Sequence, residues 1–148
     1  MPQNVIDKLG PCGLHCGGCL AFRGGPIQQH AEALRNELGP NFAAYAERFR
    51  DMDPVFEDYP AFARMLDYLA QGLCTGCRGS GCLFKECRLP ECAREHEVDF
   101  CFQCAEFPCD RHGMPENLAK VWQRNNERMK TEGVRNFYYW IKNKPRYP

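Results

Sequence analysis

Residues 73–112 read LCTGCRGSGCLFKECRLPECAREHEVDFCFQCAEFPCDRH, and eight of the chain's eleven cysteines fall within them. Hydrophobic periodicity is weak across this stretch. Only Cys92-Ala-Arg-Glu-His-Glu97 is spaced like one or two helical turns. A segment with so few large apolar residues cannot hold a shape by burial alone, so another kind of bond must hold it. Two Cys-x-x-Cys pairs supply the candidate, Cys74-Thr-Gly-Cys77 and Cys101-Phe-Gln-Cys104. Two intervening residues let one turn direct both sulfurs at a single ion, about 2.3 Å away for zinc. With Cys82, Cys87, Cys92 and Cys109 the stretch has thiols enough for two four-cysteine sites. Grouping neighbours gives Cys74, Cys77, Cys82 and Cys87, then Cys92, Cys101, Cys104 and Cys109. An interleaved arrangement is equally allowed by the spacing.

Upstream, Cys12-Gly-Leu-His-Cys16-Gly-Gly-Cys19 adds three thiols in a glycine-rich loop. The Cys-x-x-x-Cys-x-x-Cys spacing is similar to the one that binds a four-iron cluster in radical S-adenosylmethionine enzymes. Those enzymes build a large partial α/β barrel, which neither this length nor this periodicity provides, and Gly18 stands where they usually carry an aromatic residue. A three-thiol set can instead take zinc with a fourth ligand from elsewhere: His15, His96, His112 or a spare cysteine of the second region. Histidines in such settings are more often surface groups or supports than ligands.

The rest of the chain reads as helix. Ile27, Ala31, Leu34 and Leu38 recur at helical spacing, Phe42, Tyr45, Ala46 and Phe49 follow Pro40, and Phe62, Met65, Leu66 and Leu69 follow Pro60. Asp53-Pro54 and Gly72 punctuate them, and the stripes are expected to be core. After Pro115, Leu118, Val121, Trp122 and Met129 share a face, as do Val134, Phe137, Tyr138 and Ile141 beyond Gly133. Gly24-Gly25 and Gly79-Ser-Gly81 read as turns. The expected fold is mainly α: one helical domain over residues 1–148 with a loop-rich, metal-stabilised cysteine layer. Its parts are the first cysteine cluster (11–26), a helical stretch (27–72), the second cluster (73–112) and the C-terminal helices (113–148).

Composition narrows the function. The chain has 148 residues and 44% hydrophobic content, enough for a modest core. The first ten residues carry an acidic group and lack the apolar run of a signal peptide, and no stretch approaches the roughly 18–20 apolar residues of a membrane span. A cytoplasmic setting follows as the expectation, where clustered cysteines are thiols and metal ligands rather than disulfides. The odd count of eleven agrees. Lys and Arg balance Asp and Glu at 19 each, and four-thiolate zinc sites would add about −2 apiece. That charge disfavours a nucleic-acid partner, although the tail from Arg111 is locally basic and aromatic.

The motifs also resemble a known family. Cys12-Gly-Leu-His-Cys16-Gly-Gly-Cys19, Cys74-Thr-Gly-Cys77-Arg78, Cys87-Arg-Leu-Pro-Glu-Cys92 and Cys101-Phe-Gln-Cys104-Ala-Glu-Phe-Pro-Cys109 are similar, in that order, to small cysteine-rich prokaryotic proteins catalogued as domain of unknown function 3795. The resemblance implies metal binding, usually given as zinc, and leaves Cys82 outside its pattern. The candidate ligands are thus Cys12, Cys16, Cys19, Cys74, Cys77, Cys87, Cys92, Cys101, Cys104 and Cys109, with Cys82 less securely among them. The expected function is a structural zinc protein acting as a non-catalytic interaction or regulatory module, with metal ions and an unidentified protein as partners. Two alternatives stay open: an iron–sulfur electron-transfer protein using Cys12, Cys16 and Cys19, and an enzyme with an open three-thiolate site.

Overall fold

The computed structural model describes residues 3–79 and 82–147; Ser80 and Gly81 of the expected glycine-rich turn lie outside them. The chain is mainly α, with seven α-helices and no strand among the described residues. It divides into two compact units, Leu20–Leu73 and a second built from residues 3–19 and 74–147.

The cysteine-free unit consists of α2 (Pro26–Leu38), α3 (Phe42–Phe49), a 3-10 turn at Pro54–Asp58 and α4 (Tyr59–Ala70). Pro26 sits in the first turn of α2, where its missing N–H removes no helical bond. The 3-10 turn opens on Asp53, whose carboxylate accepts the Val55 amide at 2.9 Å. Helices α2 and α4 pack through Ala31, Leu66 and Ala70. Here the sequence stripes overstate burial: Leu34, Tyr45, Phe62 and Met65 are 44–60% exposed. Small alanines let the helices approach closely, and a unit this small has too little interior for every apolar side chain.

The second unit starts with the short α1 (Gln3–Ile6) and ends with α6 (Glu116–Glu132) and α7 (Val134–Ile141). Gly133 separates α6 from α7 at φ 82°, a conformation that costs glycine little. Val5, Ile6, Leu9, Phe100, Met129, Val134, Phe137 and Tyr138 form one core. Full burial of a side chain such as Phe137 contributes about 1.5–3 kcal/mol. A smaller core joins Cys12, Leu89, Cys101, Met114 and Trp122, with Leu89 on α5 (Leu89–Glu95). Helix α6 serves both cores, since Trp122, Asn125, Asn126 and Met129 fall on one buried face. No helix of the described residues is long and apolar enough to cross a membrane.

Candidate metal centre

All eleven cysteines are free thiols, and all lie in the unit made of residues 3–19 and 74–147. Local backbone geometry aims them. Cys16–Gly18 and Cys101–Gln103 are 3-10 turns, each entered and left through extended residues. Each closes by an amide bond across its Cys-x-x-Cys pair, Cys19 N to Cys16 O at 2.9 Å and Cys104 N to Cys101 O at 3.0 Å. The turn at Cys74 differs: the Gly76 amide donates to the Cys74 sulfur at 3.3 Å. The same donation from two residues on recurs at Cys82 from Phe84 (3.4 Å) and at Cys104 from Glu106 (3.5 Å). It also occurs at Cys12 from Leu14 and at Cys87 from Leu89. Amides pointing at sulfur favour the thiolate, the form that binds metal.

Side chains that sequence patterning passes over fasten these turns together. Arg78, next to Cys77, donates from Nε to the carbonyls of Ile6 (3.1 Å) and Leu9 (3.2 Å), bonds the Asp99 carbonyl, and lies over the Phe100 ring. One guanidinium thereby ties the Cys74–Cys77 turn to the segments leading into Cys12 and Cys101. Asn125 donates to Gly13 O at 3.1 Å, and Asn126 donates to Pro11 O while accepting the Phe102 amide at 2.9 Å. The only sequence signal for these residues is a pair of asparagines inside an apolar helical stripe.

Gly13 marks how tight this fastening is. Its φ is 76°, and a Cβ there would lie 2.8 Å from Asn125 Cβ and 2.9 Å from Met129 Cε. Gly13→Ala should destabilise the protein by about 2 kcal/mol, combining left-handed backbone cost with the clash. Urea denaturation checks this; an unchanged midpoint would mean the loop does not pack on α6.

The sulfurs fall into two groups. The second group is Cys92, Cys101, Cys104 and Cys109, which line a cavity of ≈20 Å³ together with Leu89 and Trp122. That is room for a single water-sized body. Burial pushes the Cys101 thiol up to about 11, and Cys92 is raised for the same reason. The buried Trp122 Nε1 faces Cys101, and its N–H favours the Cys101 thiolate. His96 stands at the rim, its Nδ1 3.0 Å from Cys92 O and 3.7 Å from Cys92 Sγ.

The first group is built around Cys12, Cys16 and Cys77 beside Gly10, with Cys19, Cys74, Cys82 and Cys87 near enough to act on its charges; Cys12 and Cys87 also pack with Cys101 and Cys109 in the core shared with Trp122. An atom at the Gly10 Cβ position would lie 3.0 Å from Cys12 Sγ and 3.6 Å from the sulfurs of both Cys16 and Cys77. Cys77 shares its S–H between Cys16 and Cys82. That bond is the main cause holding Cys16 down to about 7 and Cys82 to about 5, and it pushes Cys77 strongly up. The charge of Arg146 favours both thiolates as well, while its Nε is buried without a hydrogen-bond partner. Tyr147 Oη donates to Cys19 Sγ at 3.5 Å.

Cys12 and Cys16 therefore lie beside a cysteine distant in sequence, Cys77, and Cys82 acts electrostatically on Cys16 and Cys74. His15 does not join them. Its ring folds over Gly17 and Gly18 and stands edge-on to Tyr138, and burial lowers its pKa. His112 is likewise occupied, its Nδ1 accepting the Met114 amide at 3.0 Å. Among the described residues no three Cys, His, Asp or Glu side chains form a ready-made ion-holding group. The donor set still fits a thiophilic metal: soft sulfurs, amides aimed at them, and the buried Trp122 N–H and Arg146 Nε beside them.

Fold and site together define a mainly α, cysteine-rich protein with two convergent thiol groups in one unit. The chain belongs to the family described as protein of unknown function, DUF3795, whose model matches residues 8–114. That span contains every cysteine and leaves α6 and α7 outside it. No curated protein and no solved structure matches the chain.

Proposed function

We propose that this chain is a metal-binding protein whose two thiol groups hold zinc in thiolate sites that stabilise the fold. The folded unit then serves in the cytoplasm as a non-catalytic interaction or regulatory module. The observation that carries this reading is the second group: four sulfurs around a cavity of ≈20 Å³, with the buried Trp122 N–H beside Cys101. Four thiolates saturate a tetrahedral zinc and leave no open position for a substrate. The space also suits one ion better than a four-iron cluster. Zinc there would supply charge and cross-linking, while Trp122 and the Glu106 amide would donate to the thiolates.

An iron–sulfur reading keeps one specific support. Cys12 and Cys16 lie beside Cys77 around Gly10, so a cluster on the first three cysteines has a fourth thiol at hand. The two metals separate in one experiment: purify the protein without oxygen or added metal, then measure zinc, iron, sulfide and thiols per chain with a visible spectrum. Stoichiometric zinc in a colourless sample is the expected result. Iron with sulfide in a brown sample would replace the zinc reading with electron transfer. Protein that folds and keeps neither metal would end both.

A further inference from the structure

The net charge of zero conceals a segregation of charge along the chain. Residues 115–148 carry eight Lys or Arg against three Glu, while residues 1–114 carry eleven against sixteen Asp or Glu. The three glutamates of the tail are engaged: Glu116 pairs with Lys120, Glu132 pairs with Arg128, and Glu127 accepts the Gln123 amide. Arg135, Lys142 and Lys144 have no carboxylate partner among the described residues.

Two of those cations gather around one ring. Trp122 and Tyr138 are buried, and Trp140 is half-buried with the Arg128 guanidinium 3.7 Å from its centroid. Tyr139 is 46% exposed on α7. The Lys142 ammonium lies 4.5 Å from its ring centroid and the Arg135 guanidinium 5.9 Å. Residues 135, 139 and 142 are four and three positions apart, so they form one stripe along the helix. An exposed cation resting on a ring is held weakly and can turn to an anion.

Such a stripe fits a polyanion that carries flat rings. Phosphates take the cations, and a base stacks on Tyr139 once Lys142 turns to the backbone. A duplex hides the faces of its bases from that ring. A lipid surface suits the stripe poorly, because Val134 and Phe137 of α7 are buried in their own core. The exposed Asn136 and Asn143 flank the stripe, which leaves α7 no apolar face to insert.

Going beyond the metal-binding reading and independent of it, we propose that the stripe of Arg135, Tyr139 and Lys142 binds single-stranded nucleic acid. Lys144 adds a further phosphate contact.

Fluorescence anisotropy tests this on the full chain with its own metal. The probes are an oligodeoxythymidylate and an oligouridylate of about 12 nucleotides, and the tighter of the two tells DNA from RNA. Three phosphate contacts predict about a twentyfold loss of affinity from roughly 50 to 200 mM salt. Tyr139→Ala should weaken binding about tenfold and Tyr139→Phe less than about twofold, since only the first removes the stacking face. Arg135→Gln with Lys142→Gln should flatten the salt dependence. Arg48→Gln with Arg64→Gln, an equal change of charge in the other unit, should leave it unaltered. A duplex bound as tightly as the single strand, or Tyr139→Ala binding like the parent, would overturn the proposal and leave only a basic patch. Binding to phosphatidylserine vesicles but to neither strand would overturn it in favour of a membrane surface. Metal content measured on the same samples decides the metal-binding reading separately.

Discussion

Metal removal is expected to unfold the cysteine-bearing unit and to leave the helices between residues 26 and 70 in place. Structural zinc in small domains contributes roughly 10–16 kcal/mol of apparent binding energy, comparable with the whole stability of a typical domain, about 5–15 kcal/mol. Losing it should therefore collapse the fold of its unit rather than loosen it. Residues 74–112 have little else to rely on. Among the described residues they contain one short helix, α5, a 3-10 turn, and few large buried side chains beyond Leu89 and Phe100. The unit Leu20–Leu73 has no cysteine and a core of its own. After treatment with a strong chelator and a reductant, trypsin should cut rapidly at Arg78, Lys85, Arg88 and Arg94. Cleavage at Arg35, Arg48 and Arg64 should stay slow. An unchanged digestion pattern after verified metal removal would show that the thiols are passengers and would sink the structural-zinc reading.

What the sequence discloses and what it hides follow from the kind of force involved. The mainly α fold is legible because α2, α4, α6 and α7 repeat apolar residues every three or four positions and are bounded by Pro26, Pro60, Pro115 and Gly133. That Cys92, Cys101, Cys104 and Cys109 line one cavity matches one of two groupings that the spacing allows equally, so the spacing does not choose it. The first group is not legible at all. Its sulfurs come from residues 12–19 and 74–87, and adjacency along the chain separates what the fold unites. Also hidden are the groups whose partners are distant backbone carbonyls. Arg78 bonds residues 72 and 69 positions away, and Asn125 and Asn126 bond residues 112 and 115 positions away. A rule that rewards apolar spacing assigns such residues to the surface, although Asn126 is 0% exposed. The opposite error made core of Leu34 and Met65, because helical spacing identifies a face without measuring how much protein covers it.

Asn126→Ala is expected to cost about 2–4 kcal/mol, from one stranded amide and the void left behind. The side chain is fully buried on α6. Its Nδ2 donates to Trp122 O at 3.1 Å and Pro11 O at 3.4 Å, and its Oδ1 accepts the Phe102 amide at 2.9 Å. Alanine strands the Phe102 N–H, at about 1–3 kcal/mol, takes one of two donors from the Pro11 carbonyl, which keeps the Cys101 amide at 3.1 Å, and leaves a void besides. These two residues adjoin Cys101 and Cys12, so the amide fixes the separation of the two cysteine loops and hence the position of their sulfurs. Denaturant unfolding of the metal-loaded protein should show the loss, and metal transfer to a competing chelator should accelerate in the same variant. Asn136→Ala, on the exposed side of α7 with the Glu132 carbonyl as its partner, should stay within about 0.5 kcal/mol of the parent. A cost below about 1 kcal/mol for Asn126→Ala would mean that the sulfurs and their metal hold the two loops together without help from α6.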